Sequence, residues 1–141
     1  MPDKYFWDTN LWVYLNTKSQ DVSDEQKRKK LVALLLSIPK IVVSVQVLNE
    51  LANVLMKKYN HPESDTKTRL EQIRNQTEVV FLSDQLTLDA LDLKARYQLA
   101  WYDSLIVAAA LEADCKFLFS EDLQGGMTIE GKLKVVNPFN L

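Results

Sequence analysis

The sequence predicts an α/β fold, a central parallel sheet of about five strands flanked by helices on both faces. Three observations carry that expectation. Short β-branched or aromatic runs alternate with segments of helical spacing, one late segment is apolar all round, and neither an internal repeat nor a linker interrupts the order. With 141 residues, 47% of them hydrophobic and 26% charged, the composition matches a single domain spanning residues 1–141.

Tyr5-Phe6-Trp7 reads as a short strand closed by Asp8, and Leu11 to Leu15 resume after Thr9-Asn10 as a helix. Ser23 with Gln26 forms a capping box for a second helix, whose apolar positions Leu31, Leu34, Leu35 and Ile38 end at Pro39. Ile41-Val42-Val43-Ser44 has the β-branching of a buried strand, and Val47, Leu51, Val54 and Leu55 then mark one face of a third helix. Asn60-His61-Pro62 breaks the chain. Ser64 to Gln76 is polar, anchored by Leu70 and Ile73 alone, and reads as an outer helix. Glu78 to Leu82 is the next strand, followed by a helix whose inward face is expected at Leu88, Leu91 and Ala95. From Leu105 to Leu111 every residue is apolar, which places that helix in the middle of the molecule. Lys116 to Phe119 reads as a strand, Gly125-Gly126 as a turn, and Lys134-Val135-Val136 as the last strand.

Net charge is −2, which argues against a broad positive field for coating nucleic acid but leaves local contact open. No stretch approaches the roughly 18 uninterrupted apolar residues of a membrane span, and Met1-Pro2-Asp3-Lys4 leads into the first strand without a basic-then-apolar leader. A soluble, cytoplasmic protein without membrane contact is the expectation. Cys115 is the only cysteine, so it forms no internal disulfide, and beside an apolar run it reads as a small core residue.

Four carboxylates interrupt or close apolar elements: Asp8, Glu50, Asp103 and Asp122. Each has an ordinary explanation. Asp8 suits the N-cap of the helix that follows it. Glu50 borders the apolar face of its helix and has Lys57 as a pairing candidate. Asp103 stands in the first turn of the apolar helix, where the backbone N–H groups favour an anion. Asp122, in Ser120-Glu121-Asp122, suits a turn. Their coincidence points further: two follow strands directly, the other two lie on helices expected beside those strand ends, and ligands of parallel sheets gather there. Converging carboxylates repel unless a cation sits among them, and oxygen-only donors select Mg²⁺ or Mn²⁺ over zinc. His61 and Cys115 are too few for a zinc cluster, and neither a Gly-rich phosphate loop nor a Ser-His-Asp grouping is present.

These residues resemble the PIN-domain nucleases, in particular the VapC toxin ribonucleases of bacterial toxin–antitoxin pairs. The likeness runs along nearly the whole chain. It rests on Asp8-Thr9-Asn10 after the first strand, Ser44 through Asn49-Glu50 after the second, Tyr102-Asp103-Ser104 with its apolar helix, and Ser120-Glu121-Asp122 after a late strand. The resemblance implies a PIN-like three-layer sandwich in which Asp8, Glu50, Asp103 and Asp122 line one catalytic, metal-binding pocket. It makes Thr9, Asn10 and Ser120 a supporting polar shell. Ser120 stands where Thr is frequent and Ser104 where Ala is frequent, and Glu121 is an additional acid without an assigned role.

The resemblance further implies Mg²⁺- or Mn²⁺-assisted hydrolysis of RNA by water, leaving a 5′-phosphate and a 3′-hydroxyl, with Glu50 or Asp122 orienting the water. It implies a small antitoxin protein as partner and a homodimer. Lys57, Lys58, Lys67, Arg69, Arg74 and the run Lys27-Arg28-Lys29-Lys30 are candidates for holding the RNA, against the plainer reading of solvated helix faces. Trp12, Trp101 and Tyr102 are candidates for base stacking, against a core role. Two other α/β chemistries fit less well: an aspartyl-phosphate phosphatase expects a second acid two residues after the first, where Asn10 stands, and a phosphate-accepting receiver domain expects paired acids at Asp8. A PIN fold kept only as an RNA-binding or scaffold module is the remaining alternative.

Overall fold

A computed structural model describes residues 2–141 of the chain. Its elements run β1 (Tyr5–Trp7), α1 (Thr9–Asn16), α2 (Val22–Ser37), β2 (Ile41–Ser44), α3 (Val45–Lys57), α4 (Glu63–Gln76), β3 (Glu78–Val80), α5 (Asp84–Tyr97), α6 (Trp101–Glu112), β4 (Phe117–Phe119), β5 (Thr128–Ile129) and β6 (Leu133–Val136), with a closing 3₁₀ turn at Pro138–Asn140. The alternation of strand and helix expected from periodicity is present, and the sheet is flanked by helices as a PIN-like sandwich requires.

The strands form one sheet in the order β3-β2-β1-β4-β6-β5. Pairing is parallel from β3 through β6, and only β5 runs antiparallel to its neighbour. The sheet therefore has six strands where about five were expected. The extra one is a two-residue strand, too short for any periodic signal, that returns onto β6 through Glu130 and Gly131, both at positive φ. The chain builds outward from β1 to β2 and β3, then crosses back to lay β4 on the other side of β1. That reversal makes the carboxyl ends of β1 and β4 the topological switch point, the place where open α/β sheets bind ligands.

Local chemistry explains most boundaries. Ser44 ends the fully buried strand β2 and caps α3, its Oγ accepting from the Val47 N–H at 3.3 Å. Ser83 does the same for α5 at the Leu86 N–H, and Gln98 closes α5 in the left-handed region. The capping box at Ser23 does not form: Asp21 is the N-cap of α2, accepting from the N–H groups of Ser23 and Asp24, so the helix starts at Val22. Asp accepts these N–H bonds as a charged group, which favours it over the hydroxyl two residues later.

A central apolar cluster fills both faces of the sheet, with Phe6, Trp7, Val42, Val43, Leu118 and Val135 from the strands at its centre. The apolar run of α6 from Leu105 to Leu111 is central, as expected, with Ile106 through Ala110 buried. Cys115 is buried in the same cluster. The face of α5 differs from expectation: Leu86, Ala90 and Leu93 are buried against the core, whereas Leu88, Leu91 and Ala95 are exposed. The helix carries two apolar stripes at helical spacing, and its packing on α6 selects the first. Strand β3 stops at Val80, leaving Phe81 and Leu82 outside the sheet.

Candidate active site

Asp8 follows β1 at this switch point. Its N–H donates to the Phe119 carbonyl at 3.0 Å, which carries the β1–β4 ladder one residue past the strand and seats the carboxylate at the carboxyl end of the sheet. Oδ1 accepts from the Thr9 N–H at 2.7 Å and caps α1, while Oδ2 accepts from Ser120 Oγ at 2.9 Å. The capping reading and the site reading are thus both realised in one residue. Asp8 is only 8% exposed. Burial pushes its pKa up to about 6; the bonds from Ser120 and Thr9 oppose that rise, and the charges of Asp103 and Asp122 add to it.

Ser120 is the junction of this edge. Its hydroxyl donates to Asp8 and accepts from the N–H groups of Asp122 and Leu123 at 3.3 and 3.2 Å, which uses its donor and both lone pairs. It is fully buried. The exposed Asp122 is held from the other side by Asn10, whose Nδ2 donates to Oδ2.

Glu50 comes from α3, half-buried. Its Oε1 accepts from Gln46 Nε2 at 2.9 Å, one helical turn back, and from Thr9 Oγ1 at 3.4 Å. Lys57 is not its partner. Gln46 also donates to the Tyr102 carbonyl at 3.3 Å, tying α3 to the first turn of α6, where Asp103 stands. Gln46 is a site residue that the sequence reading passed over; the signal was its i, i+4 spacing from Glu50 on one helix face. Burial raises the pKa of Asp103, and the charge of Asp122 adds to the rise. Ala100 caps α6 without a side-chain bond, so Asp103 supplies the negative charge that this N-terminus favours.

Asp8, Asp103 and Asp122 therefore influence one another, and Glu50 is joined to the same edge through Thr9 and Gln46, with no ion pair to any of the four among the described residues. They do not form a closed cage: among the described residues no three His, Cys, Asp or Glu side chains lie close enough to hold a metal by themselves. The donor chemistry still fits a hard cation. Magnesium-like ions keep several waters and take one or two carboxylates, so an open, all-oxygen edge with uncompensated negative charge suffices where a closed cage would suit calcium or zinc.

A cleft of about 230 Å³ begins at Asn10 and runs between α1, α2 and the end of α3, lined by Tyr14, Arg28, Lys58 and Tyr59 among others. Of the basic residues considered for RNA, Lys58 and Arg28 reach it, Arg28 also pairing with Glu25 at 3.5 Å. Lys27 is engaged by Glu121, Lys30 by the backbone oxygen of Leu141, and Arg69 by Asp65 and Asn16. Lys67 and Arg74 line a different groove on α4. Trp12 is core, whereas Tyr102 is exposed beside Asp103.

A model of the PIN domain matches residues 5–124. Among solved structures, the chain is similar to a toxin–antitoxin complex from Klebsiella pneumoniae, at 20% identity and a TM-score of 0.69 over 95% of this chain and 97% of that one. It is similar to VapC20 of Mycobacterium tuberculosis, described as a sarcin-ricin loop cleaving toxin, at 20% identity and a TM-score of 0.66 over 84% and 91% of the two chains. The VapBC2 complex of Rickettsia felis bound to promoter DNA matches at 19% identity and a TM-score of 0.64 over 95% and 99%. At these identities the likeness is one of fold. No curated protein sequence matches the chain.

Proposed function

This chain belongs to the PIN domain family, and on that premise we propose that it is a metal-dependent endoribonuclease, the toxin of a toxin–antitoxin pair, built as one nuclease domain. The observation that carries the proposal is Asp8: a carboxylate buried at the switch point of the sheet, raised in pKa by burial and by two neighbouring acids, and paired with no base among the described residues. Buried uncompensated charge is costly, and it is retained where function uses it.

In this proposal Asp8 and Asp103, with Asp122 and Glu50 beside them, hold Mg²⁺ or Mn²⁺, which neutralises charge on the phosphate and acidifies water. The chain's own part is orientation. Ser120 and the Thr9 N–H fix the two oxygens of Asp8. Gln46 and Thr9 occupy Oε1 of Glu50, leaving Oε2 to take a proton from the attacking water; Asn10 occupies Oδ2 of Asp122, leaving Oδ1 for the same task. Two of the similar structures are toxin–antitoxin assemblies and one is an RNA-cleaving toxin, which supports RNA as substrate and a small antitoxin as partner. A homodimer in the cytoplasm completes the proposal.

The test is cleavage of a mixed, end-labelled RNA pool with Mg²⁺, Mn²⁺ or EDTA, beside Asp8→Ala and Asp103→Ala. Metal-dependent cleavage, 5′-phosphate ends and its loss in both folded variants are expected. Cleavage that survives EDTA or both substitutions overturns the mechanism, and RNA binding without cleavage in any metal supports the scaffold alternative instead.

A further inference from the structure

Glu121 adjoins Asp122 in the loop after β4, yet both of its carboxylate oxygens are taken up away from the acidic edge. Tyr14 OH donates to Oε1 at 2.7 Å, and Lys27 Nζ stands 2.5 Å from Oε2. The Lys27 and Glu121 side chains are 29% and 23% exposed, so this pair is partly withdrawn from water. The Lys27 ammonium also lies 5.4 Å from the Tyr14 ring centre and 5.2 Å from that of Phe139, and the two rings meet edge-on. Helix α1, helix α2, the β4 loop and the C-terminal 3₁₀ turn are joined at this one point.

We propose that Tyr14, Glu121 and Lys27 form a clamp that positions Asp122, and that Glu121 is not itself a metal-site acid; this rests on the proposed carboxylate site. Asp122 is exposed and would otherwise be held only by Asn10 at its side chain and by Ser120 at its N–H. A loop carboxylate whose backbone is held in place before the ion arrives binds it at a smaller ordering cost. Glu121 anchors that backbone on one side of Asp122, and the buried Leu123 anchors it on the other. Lys27 also cancels the charge of Glu121, so the loop presents one acid to the site, not two. The two residues that hold Glu121, Tyr14 and Lys27, thus come from α1 and α2, which carry none of the other three acids.

The test is Mn²⁺ titration calorimetry with cleavage kinetics on wild type, Lys27→Met, Glu121→Gln and the charge-swapped Lys27→Glu/Glu121→Lys double variant. The clamp predicts that each single substitution weakens Mn²⁺ binding roughly tenfold and lowers kcat with KM nearly constant, and that the swap recovers most of the loss. A direct ligand role for Glu121 predicts opposite signs, with Lys27→Met tightening Mn²⁺ and Glu121→Gln weakening it. Opposite signs, or no change in either single variant, overturn the clamp. A metal-independent readout is amide exchange at Asp122 and Leu123 with EDTA present, expected to rise about tenfold in Glu121→Ala; unchanged exchange overturns the clamp as well. Wild-type protein that binds no Mn²⁺ sinks the proposed metal site, while the exchange experiment still decides the clamp.

Discussion

At the amino ends of the parallel strands acid meets base, whereas at their carboxyl ends acid meets acid. Lys4 pairs with Glu78 at 3.0 Å across β1 and β3, Lys116 faces Asp3 at 3.6 Å, and Lys4 also donates to the Ala113 carbonyl. Opposite them, Asp8, Glu50, Asp103 and Asp122 have no cationic partner among the described residues, and Asp8, Glu50 and Asp122 accept only from neutral donors. The difference teaches where to look for chemistry. A chain built for stability alone pairs its charges or leaves them in water, and Asp8, buried and without a cationic partner among the described residues, does neither.

The contrast is broken most directly at Asp8. Asp8→Asn keeps the size of the side chain and removes the charge. Cleavage is expected to fall by about 10²–10⁴-fold, while the melting temperature in EDTA rises by roughly a few degrees. A variant that loses activity and melts lower would show that the charge serves the fold.

At the other end of the sheet Cys115 gives the second effect. Burial pushes its thiol up to about 12, so in native protein at pH 8 its thiolate fraction, and with it alkylation by iodoacetamide, is expected to be about a thousandfold below that of the unfolded chain. Equal rates in native and urea-unfolded protein would remove the claim.

The third effect is the pH dependence of stability in EDTA. The folded pKa of Asp8, about 6, lies above its ordinary 3.8, so the native state binds the proton more tightly. The associated stabilisation is complete below the ordinary value and is lost as pH rises through the folded one, by up to about 3 kcal/mol. Asp103 acts in the same direction. Urea melts from pH 4 to 7 should therefore diverge between wild type and Asp8→Asn, with wild type losing ground as pH rises, and millimolar Mg²⁺ or Mn²⁺ should close the gap near pH 7. Parallel curves would refute the shift. The smallest effect is expected from Lys4→Met, below about 1 kcal/mol in the same melts and with cleavage within roughly twofold of wild type, since an exposed pair of this kind contributes little.

The order of elements was legible because burial imposes periodicity. Ile41 to Ser44 sits wholly inside as its β-branching predicts, and α6 is central as its unbroken apolar run predicts. Where two patterns compete, periodicity does not choose. In α5 the stripes Leu86-Ala90-Leu93 and Leu88-Leu91-Ala95 are both helical, and only contact with α6 buries the first. Strand β5 escaped notice because two residues carry no period, and its existence depends on a partner already in place.

For the site, residue type and adjacency to strand ends singled out the four acids and their oxygen-only character, because these are one-dimensional facts, whereas Thr9, Asn10 and Ser120 entered only through the family resemblance. Their partners were decided in three dimensions. Ser120 lies 112 positions from Asp8 in the chain, Asn10 112 from Asp122, and Gln46 56 from Tyr102, so each of these bonds exists only after the sheet has brought β1, β4 and the helices to one edge. The same holds for Glu121, an unassigned acid in the sequence that the packing of α1 and α2 turns toward Tyr14 and Lys27 and away from the site. Local sequence sets which groups a segment can offer; which of them meet is set by packing, because the energies that orient a side chain come from neighbours supplied by distant segments.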